Sequence, residues 1–155
     1  MSWRHPFLVD PGRPIVLASA SPRRSDILHA QGLAFEVQPA HINEDALPEE
    51  APAQHVERLA LEKARAVASG RPDALVLGFD TVVVIDEEIL GKPADRDHAI
   101  EMLTRLSGRR HVVHSSVALV SGGEEYVGHS TTEVWFRDLP PEEIEAYVDS
   151  GEPMD

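Results

Sequence analysis

The sequence predicts a single α/β domain built on a mixed, twisted sheet flanked by helices. Three observations carry that reading. Short apolar runs rich in β-branched residues alternate with helically spaced apolar stripes from Ile15 to Val148. Cap and turn residues punctuate the junctions between them. A chain of 155 residues with 42% apolar content has the size and composition of one domain with a real core.

The first unit of the pattern is a short strand, Ile15 to Ala18, running through Ser19-Ala20-Ser21 into a helix. Ser21 is a good N-cap, and Pro22 stands at the first helical position, where its missing N–H costs nothing. Ile27 and Leu28 supply the apolar face, and Gly32 stops the helix. Ala34 to Gln38 reads as a short strand. Pro39 to Pro52 is an acidic loop whose carboxylates read mostly as solvated. From Pro52 to Ser69 the spacing of Val56, Leu59, Ala60, Ala64 and Val67 predicts a helix with one buried stripe, and Gly70 and Pro72 end it. Ala74 to Ile85 is the most apolar stretch. It is too rich in β-branched residues for a helix and reads as two strand segments meeting at Gly78-Phe79-Asp80. A turn at Asp86-Glu87-Glu88 leads to a brief strand at Ile89-Leu90. Asp95 caps a helix carrying Ile100, Leu103 and Leu106, with Gly108 as its stop. Arg109 to Val120 and Tyr126 to Arg137 form strands joined by a turn at Ser121-Gly122-Gly123-Glu124. Val134 and Phe136 alternate there with Glu133, Trp135 and Arg137. Pro140-Pro141-Glu142-Glu143 opens a last helix through Val148, and Ser150-Gly151-Glu152-Pro153 closes it.

Composition narrows the function. The charge balance is 14 − 27 = −13, which disfavours a nucleic-acid surface. There is no cysteine, so disulfides and thiolate metal sites are excluded. No apolar run reaches membrane-spanning length. Residues 1–13, with Pro6, Pro11 and Gly12 but no long apolar core, read as a flexible leader and not a secretory signal. His111 and His114, three apart on a strand, face opposite sides and make a poor metal pair.

Against this acidic background the constrained cations stand out. Arg23 and Arg24 sit on a helix's first turn, where cations are unfavourable unless an anion is present; they read either as an anion site or as a solvated pair. Lys63 lies near the middle of an apolar stripe, so it snorkels outward or holds an anion. Lys92 stands between Gly91 and Pro93. Asp80 is the one charge inside the Ala74–Ile85 run. A carboxylate there needs a cation, a metal or several donors, unless it caps a turn at a strand end. There is no Walker loop and no Rossmann fingerprint. Several cations around a carboxylate suit phosphoanhydride hydrolysis, in which cations neutralise phosphates and the acid holds a divalent metal or activates water.

The blocks Ser19-Ala20-Ser21-Pro22-Arg23-Arg24, Glu62-Lys63-Ala64, Gly78-Phe79-Asp80-Thr81, Gly91-Lys92-Pro93, Leu106-Ser107-Gly108, Phe136-Arg137, and Tyr147 with Ser150-Gly151-Glu152-Pro153 resemble, in order and spacing, the Maf family of nucleoside triphosphate pyrophosphatases. The resemblance spans about Ile15 to the last residue. It implies a Maf/ITPase-like fold with a cleft between two lobes. The implied activity is hydrolysis of a nucleoside triphosphate to the monophosphate and pyrophosphate, assisted by Mg²⁺ or Mn²⁺. The implied role is removal of excess or non-standard nucleotides in the cytoplasm, in a chain that is a possible homodimer and has neither nucleic-acid nor membrane partners. Residue by residue, Asp80 matches the catalytic carboxylate, the proton acceptor for water, and also a metal ligand. Glu44 matches an acidic position that serves as a metal or water ligand. Ser19, Arg23, Arg24, Lys63 and Lys92 match phosphate-binding positions. Arg23 and Thr81 match positions that separate subfamilies: the branch acting on 7-methyl-GTP tends to carry Trp and Gln there, and this chain resembles the dTTP/UTP branch.

The family pattern continues beyond Asp155 with a Lys-Ala-Gly-Ala-Tyr-Gly-Ile-Gln block, further strands and a helix. Residues 14–155 are therefore expected to be a Maf-like domain lacking those C-terminal elements, with uncovered sheet edges, lowered stability and impaired activity. Two other readings accompany the dTTP/UTP pyrophosphatase: a non-catalytic nucleotide-binding regulator of septum formation, and a 7-methyl-GTP pyrophosphatase.

Overall fold

The computed structural model describes residues 12–151. Among them the elements follow as β1 (Ile15–Leu17), α1 (Pro22–Ala30), β2 (Glu36–Val37), α2 (Pro52–Ala68), β3 (Leu75–Ile85), β4 (Glu88–Leu90), α3 (Arg96–Leu106), β5 (Arg110–Ser121), β6 (Glu124–Trp135) and α4 (Pro141–Asp149). The strands form one six-stranded mixed sheet in the order β2-β1-β3-β5-β6, with β4 on β3. β1 runs parallel to both β2 and β3, and β4 is antiparallel to β3. The α/β architecture with a mixed sheet is the one expected from the alternating pattern. The chain gathers into two compact units. One takes the chain through Asp80 together with Ser116–His129; the other takes Thr81–Ser115 and the residues from Ser130 onward.

In the first unit the strand period of two sorts side chains onto two faces. Val16, Ala18, Val76, Ala118 and Val120 meet Ala60, Ala64 and Val67 of α2 in one cluster. Ile15, Leu17 and Leu77 meet Leu28 of α1 on the other face, with Phe35, Phe79 and Leu119 packed against them. The stripe read from the sequence is the buried face of α2: Val56, Leu59, Ala60, Ala64 and Val67 are each at most 3% exposed. Burial of a stripe this complete, and not helix propensity, holds a helix of this length in place.

In the second unit β3 turns into β4 through Asp86 and Glu87, both at positive φ (51° and 64°), the backbone a tight two-residue hairpin turn requires. α3 and α4 pack through Ala99, Ile144 and Val148, with Ile100, Leu103 and Leu139 alongside. Asp95 caps α3 by accepting a hydrogen bond from the His98 N–H at 2.8 Å. Trp135 is 72% exposed, as its place in the strand alternation requires. No helix among the described residues is long and apolar enough to cross a membrane.

Four expectations need correction. The run from Leu75 to Ile85 is one unbroken strand, not two segments meeting at Gly78-Phe79-Asp80. Gly78 is there for close packing: a Cβ on it would overlap the Ala60 carbonyl oxygen and stand 3.0 Å from the Ala64 nitrogen. Ser21 occupies the N-cap of α1, but its side chain makes no capping bond; the neighbouring Ser19 hydroxyl takes up the Ser21 N–H at 3.2 Å. Ile27 is 60% exposed, so Leu28 alone supplies the buried face of α1. The strand after α1 is only Glu36–Val37, because β1 offers two register partners to it, Val16 and Leu17. Of the residue 1–13 leader, positions 1–11 lie outside the described residues, as do Glu152 and Pro153 of the final stop.

Candidate active site

The site grows from the carboxyl ends of two parallel strands. Leu17 of β1 pairs with Leu77 of β3, and Ala18 continues the ladder by donating to the Leu77 carbonyl at 2.8 Å. Ser19 therefore emerges just past β1, and Asp80 stands three residues beyond the same register point on β3. In parallel α/β sheets this end is where ligands bind.

Period two places Asp80 on the face of β3 that Val76 and Gly78 share, the face packed on α2. The missing Cβ of Gly78 lets α2 lie close, and Lys63, one position before the buried Ala64, reaches over the strand. Its Nζ donates to Asp80 Oδ1 at 3.0 Å and to the Phe79 carbonyl at 3.3 Å. It also pairs with Glu44 Oε1 at 2.6 Å. The Lys63 side chain is 12% exposed and Asp80's 10%. Of the two fates open to a lysine in an apolar stripe, this one holds anions.

Asp80 is unusual in its second oxygen. Oδ2 is buried and has no hydrogen-bond partner among the described residues. An unsatisfied carboxylate oxygen is costly in the folded state. Burial pushes the Asp80 carboxyl up from its ordinary value; Lys63 pulls against that shift and the Glu44 charge adds to it.

Arg24 approaches from the other side of β3. Its Nη1 donates to Ser19 Oγ at 3.2 Å, and its guanidinium carbon lies 5.7 Å from the centre of the Phe79 ring. Burial lowers its pKa from the ordinary arginine value, opposed by the charges of Asp80 and Glu44. The residue stays charged regardless. The buried Ser19 thus holds both the Ser21 N–H and Arg24, which fixes the turn between β1 and α1.

Ser19, Arg24, Glu44, Lys63 and Asp80 are thus gathered in the first unit. Arg23, next along α1, is exposed. Thr81 and Lys92 belong to the second unit, and both are exposed there; Thr81 Oγ1 lies 3.1 Å from Ser115 Oγ. His111 and His114 do not pair. His111 is buried with its ring edge on Phe136 at 4.7 Å between centroids, and His114 Nδ1 lies 3.3 Å from Thr131 Oγ1.

Of the acidic loop's carboxylates, Glu44, Asp45 and Glu49 are exposed, as expected of most of them, and Glu50 is the exception. Glu50 accepts from Arg58 Nε at 2.6 Å and Nη2 at 2.9 Å and from the Leu47 N–H at 3.2 Å, and it pairs with His55 Nδ1 at 2.8 Å. Its side chain is 7% exposed, and the Arg58 guanidinium holds its carboxyl down at about 2. Arg58 also pairs with Glu62 one turn on, at 3.1 Å. The available signal was the polar stripe His55, Arg58, Glu62 running beside the apolar one on α2. What it pairs with lies in a loop and has no period to read.

A divalent cation fits the acids present. Asp80 offers an unpartnered oxygen, and Glu44 stands beside the same lysine. Among the described residues no group of three or more His, Asp or Glu is arranged to hold a metal alone. Carboxylate oxygens are the hard ligands that a divalent cation such as Mg²⁺ takes.

The fold and the cluster together define an α/β protein with two cations and a buried acid at the carboxyl end of parallel strands. The model of the family described as Maf-like protein matches residues 14–155, and this chain belongs to that family. It is 54% identical over 141 residues to a dTTP/UTP pyrophosphatase of Symbiobacterium thermophilum, covering 91% of this chain and 73% of the relative. It is 53% identical over 143 residues to a dTTP/UTP pyrophosphatase of Moorella thermoacetica, covering 91% and 74%. Among solved structures, the Staphylococcus aureus Ham1 protein superposes with a TM-score of 0.55 at 16% identity, covering 79% of this chain and 71% of that one, a likeness of fold.

Proposed function

We propose that this protein hydrolyses nucleoside triphosphates, dTTP and UTP foremost, to the monophosphate and pyrophosphate. The observation that carries the proposal is the buried, unpartnered Oδ2 of Asp80, held beside Lys63 and electrostatically coupled to Arg24. The names of relatives above 50% identical support the substrate class.

In this reading Asp80 is the proton acceptor. A water oxygen bonds to the α-phosphorus, the bond from that phosphorus to the bridging oxygen breaks, and the pyrophosphate leaves with the bridging electron pair. The water's proton passes to the Asp80 carboxylate. Its raised pKa makes its ionised form a better base than an ordinary carboxylate. Lys63 and Arg24 bear on the phosphate chain as charge develops on the leaving oxygens. Ser19 sets the turn that aims Arg24. Lys92 and Arg23 are assigned to the phosphates as well. Arg23 and Thr81 are assigned to the choice of nucleotide. Mg²⁺ or Mn²⁺ would be held by Asp80 and Glu44 and would supply Lewis-acid neutralisation of the phosphates. The biological role that follows is clearance of excess or non-standard nucleotides in the cytoplasm, by a chain we take to work as a homodimer.

A nucleotide panel with pyrophosphate detection, run with and without Mg²⁺ or Mn²⁺, tests the proposal. Release of pyrophosphate from dTTP and UTP is expected. Consumption of 7-methyl-GTP alone would overturn the assignment of Arg23 and Thr81, and no pyrophosphate from any nucleotide would overturn the enzyme.

A further inference from the structure

Glu44 lies in a loop without regular structure, between β2 and α2, yet its carboxylate meets Lys63 Nζ at 2.6 Å. Something must hold that loop, and its neighbours show what. The Asp45 N–H donates to Asn43 Oδ1 at 2.9 Å, closing a local turn around Glu44. The Asp45 carbonyl, on the other side of the same residue, accepts from Arg58 Nη2 at 3.1 Å. The same guanidinium grips Glu50 through two nitrogens, at 2.6 and 2.9 Å, and Glu50 in turn takes the Leu47 N–H at 3.2 Å. His55, 5% exposed, backs Glu50 from the first turns of α2. The fork is thus anchored on a rigid helix and reaches the loop at two points, Asp45 and Glu50.

We propose that Arg58 is a positioning residue for Glu44: its guanidinium clamps the 43–50 loop so that the Glu44 carboxylate is delivered to Lys63 and Asp80. The planar five-donor fork is what the task needs, because one group must serve two carboxylates and a backbone carbonyl at once. A lysine offers a point charge without that geometry. Arg58 touches neither Asp80 nor Lys63 in its hydrogen bonding, so its effect on the chemistry runs through Glu44. The inference rests on the pyrophosphatase reading for what Glu44 does; the clamp itself is a property of the loop.

A double-mutant cycle separates the two. In the full chain, Arg58→Gln is expected to lower kcat for dTTP about 10- to 100-fold, the range for partners that orient a functional group, and Arg58→Lys to recover only part of it. Glu44→Gln with Arg58→Gln should then be no worse than Glu44→Gln alone, within about 2-fold, because the second change has nothing left to misplace. Additive losses would overturn the positioning role. A second measurement needs no turnover. Amide hydrogen exchange in Arg58→Gln should speed up at Asp45 and Leu47 by at least about 10-fold, with the α2 amides from Leu59 to Val67 unchanged. Unchanged exchange at Asp45 and Leu47 would overturn the clamp. An inactive wild-type protein whose loop still loosens would instead overturn the enzyme reading and leave the clamp standing.

Discussion

At the scale of single residues, Asp80 is the buried acid on which the proposed chemistry rests, and one of its oxygens has no partner among the described residues. Its pKa is raised chiefly by burial. A group whose folded pKa lies above its unfolded one favours the folded state when protonated, so that contribution is full below the unfolded value and is lost as pH rises through the folded value. The ionised form of Asp80 therefore works against folding. Asp80→Asn should abolish hydrolysis, by about 100-fold or more for a general base, while melting at or above the wild-type temperature. The proposed catalysis runs the opposite way, since a base must be ionised to act. The acid limb of kcat/KM should fall above the ordinary carboxylate range, and Lys63→Met should move it higher still, because Lys63 is the group holding the Asp80 pKa down. A pH–rate profile of the two proteins checks both statements. His111 supplies a separate test. Burial lowers its pKa, so it is held neutral while the unfolded chain takes up a proton. Stability should then fall as pH drops below about 6.5, by at most about 1.4 kcal/mol per pH unit from this one group. Denaturation midpoints between pH 7 and 5 should slope less steeply in His111→Leu than in the wild type.

At the scale of elements, the meeting of α2 and β3 makes the site. Gly78 sets how near the helix comes, Ala60 and Ala64 accept that approach, and Lys63 uses it to reach Asp80. Gly78→Ala should push the two apart. The expected costs are about 1–3 kcal/mol of stability, the range for overpacking, and a fall in activity larger than that loss of folded protein explains; chemical denaturation and turnover on the same samples check it. The same junction shows what the sequence made legible. The stripe Val56, Leu59, Ala60, Ala64, Val67 has a helical period, and it defined both the limits and the buried face of α2. Asp80 and Lys63 were legible because each is a charge in an apolar pattern. Two things were hidden for the same reason. The continuity of β3 through Gly78 is set by α2 packing across from it, and the grip of Arg58 on Glu50 joins a helix to an irregular loop; neither leaves a local period. Glu50 reads as one more loop acid because its counter-ions, His55 and Arg58, stand on a helix while it stands in an irregular loop, and no single period relates the two.

At the scale of the molecule, the mixed sheet and its order matter because they bring the ends of β1 and β3 side by side, though α1, β2 and α2 intervene between them. The alternation of elements predicted the class of fold; the order β2-β1-β3-β5-β6 follows from long-range pairing and was not readable. At a net charge of −13 the acids outnumber the lysines and arginines 27 to 14, and in the first unit Lys63 and Arg24 are the cations that act on the buried Asp80. A long-range field of that sign opposes the approach of a polyanion, so binding of a nucleoside triphosphate should tighten as added salt screens the surface, until salt begins to compete for the cations themselves. Titration of dTTP into Asp80→Asn across a range of NaCl concentrations reads this directly.

The most direct test of the account compares wild type with Asp80→Asn on dTTP and UTP in Mg²⁺, following pyrophosphate release and nucleotide binding together. Release lost and binding retained is the predicted result. An Asp80→Asn protein that still turns over at the wild-type rate would show that the buried acid beside Lys63 is not the base, and the account would fail.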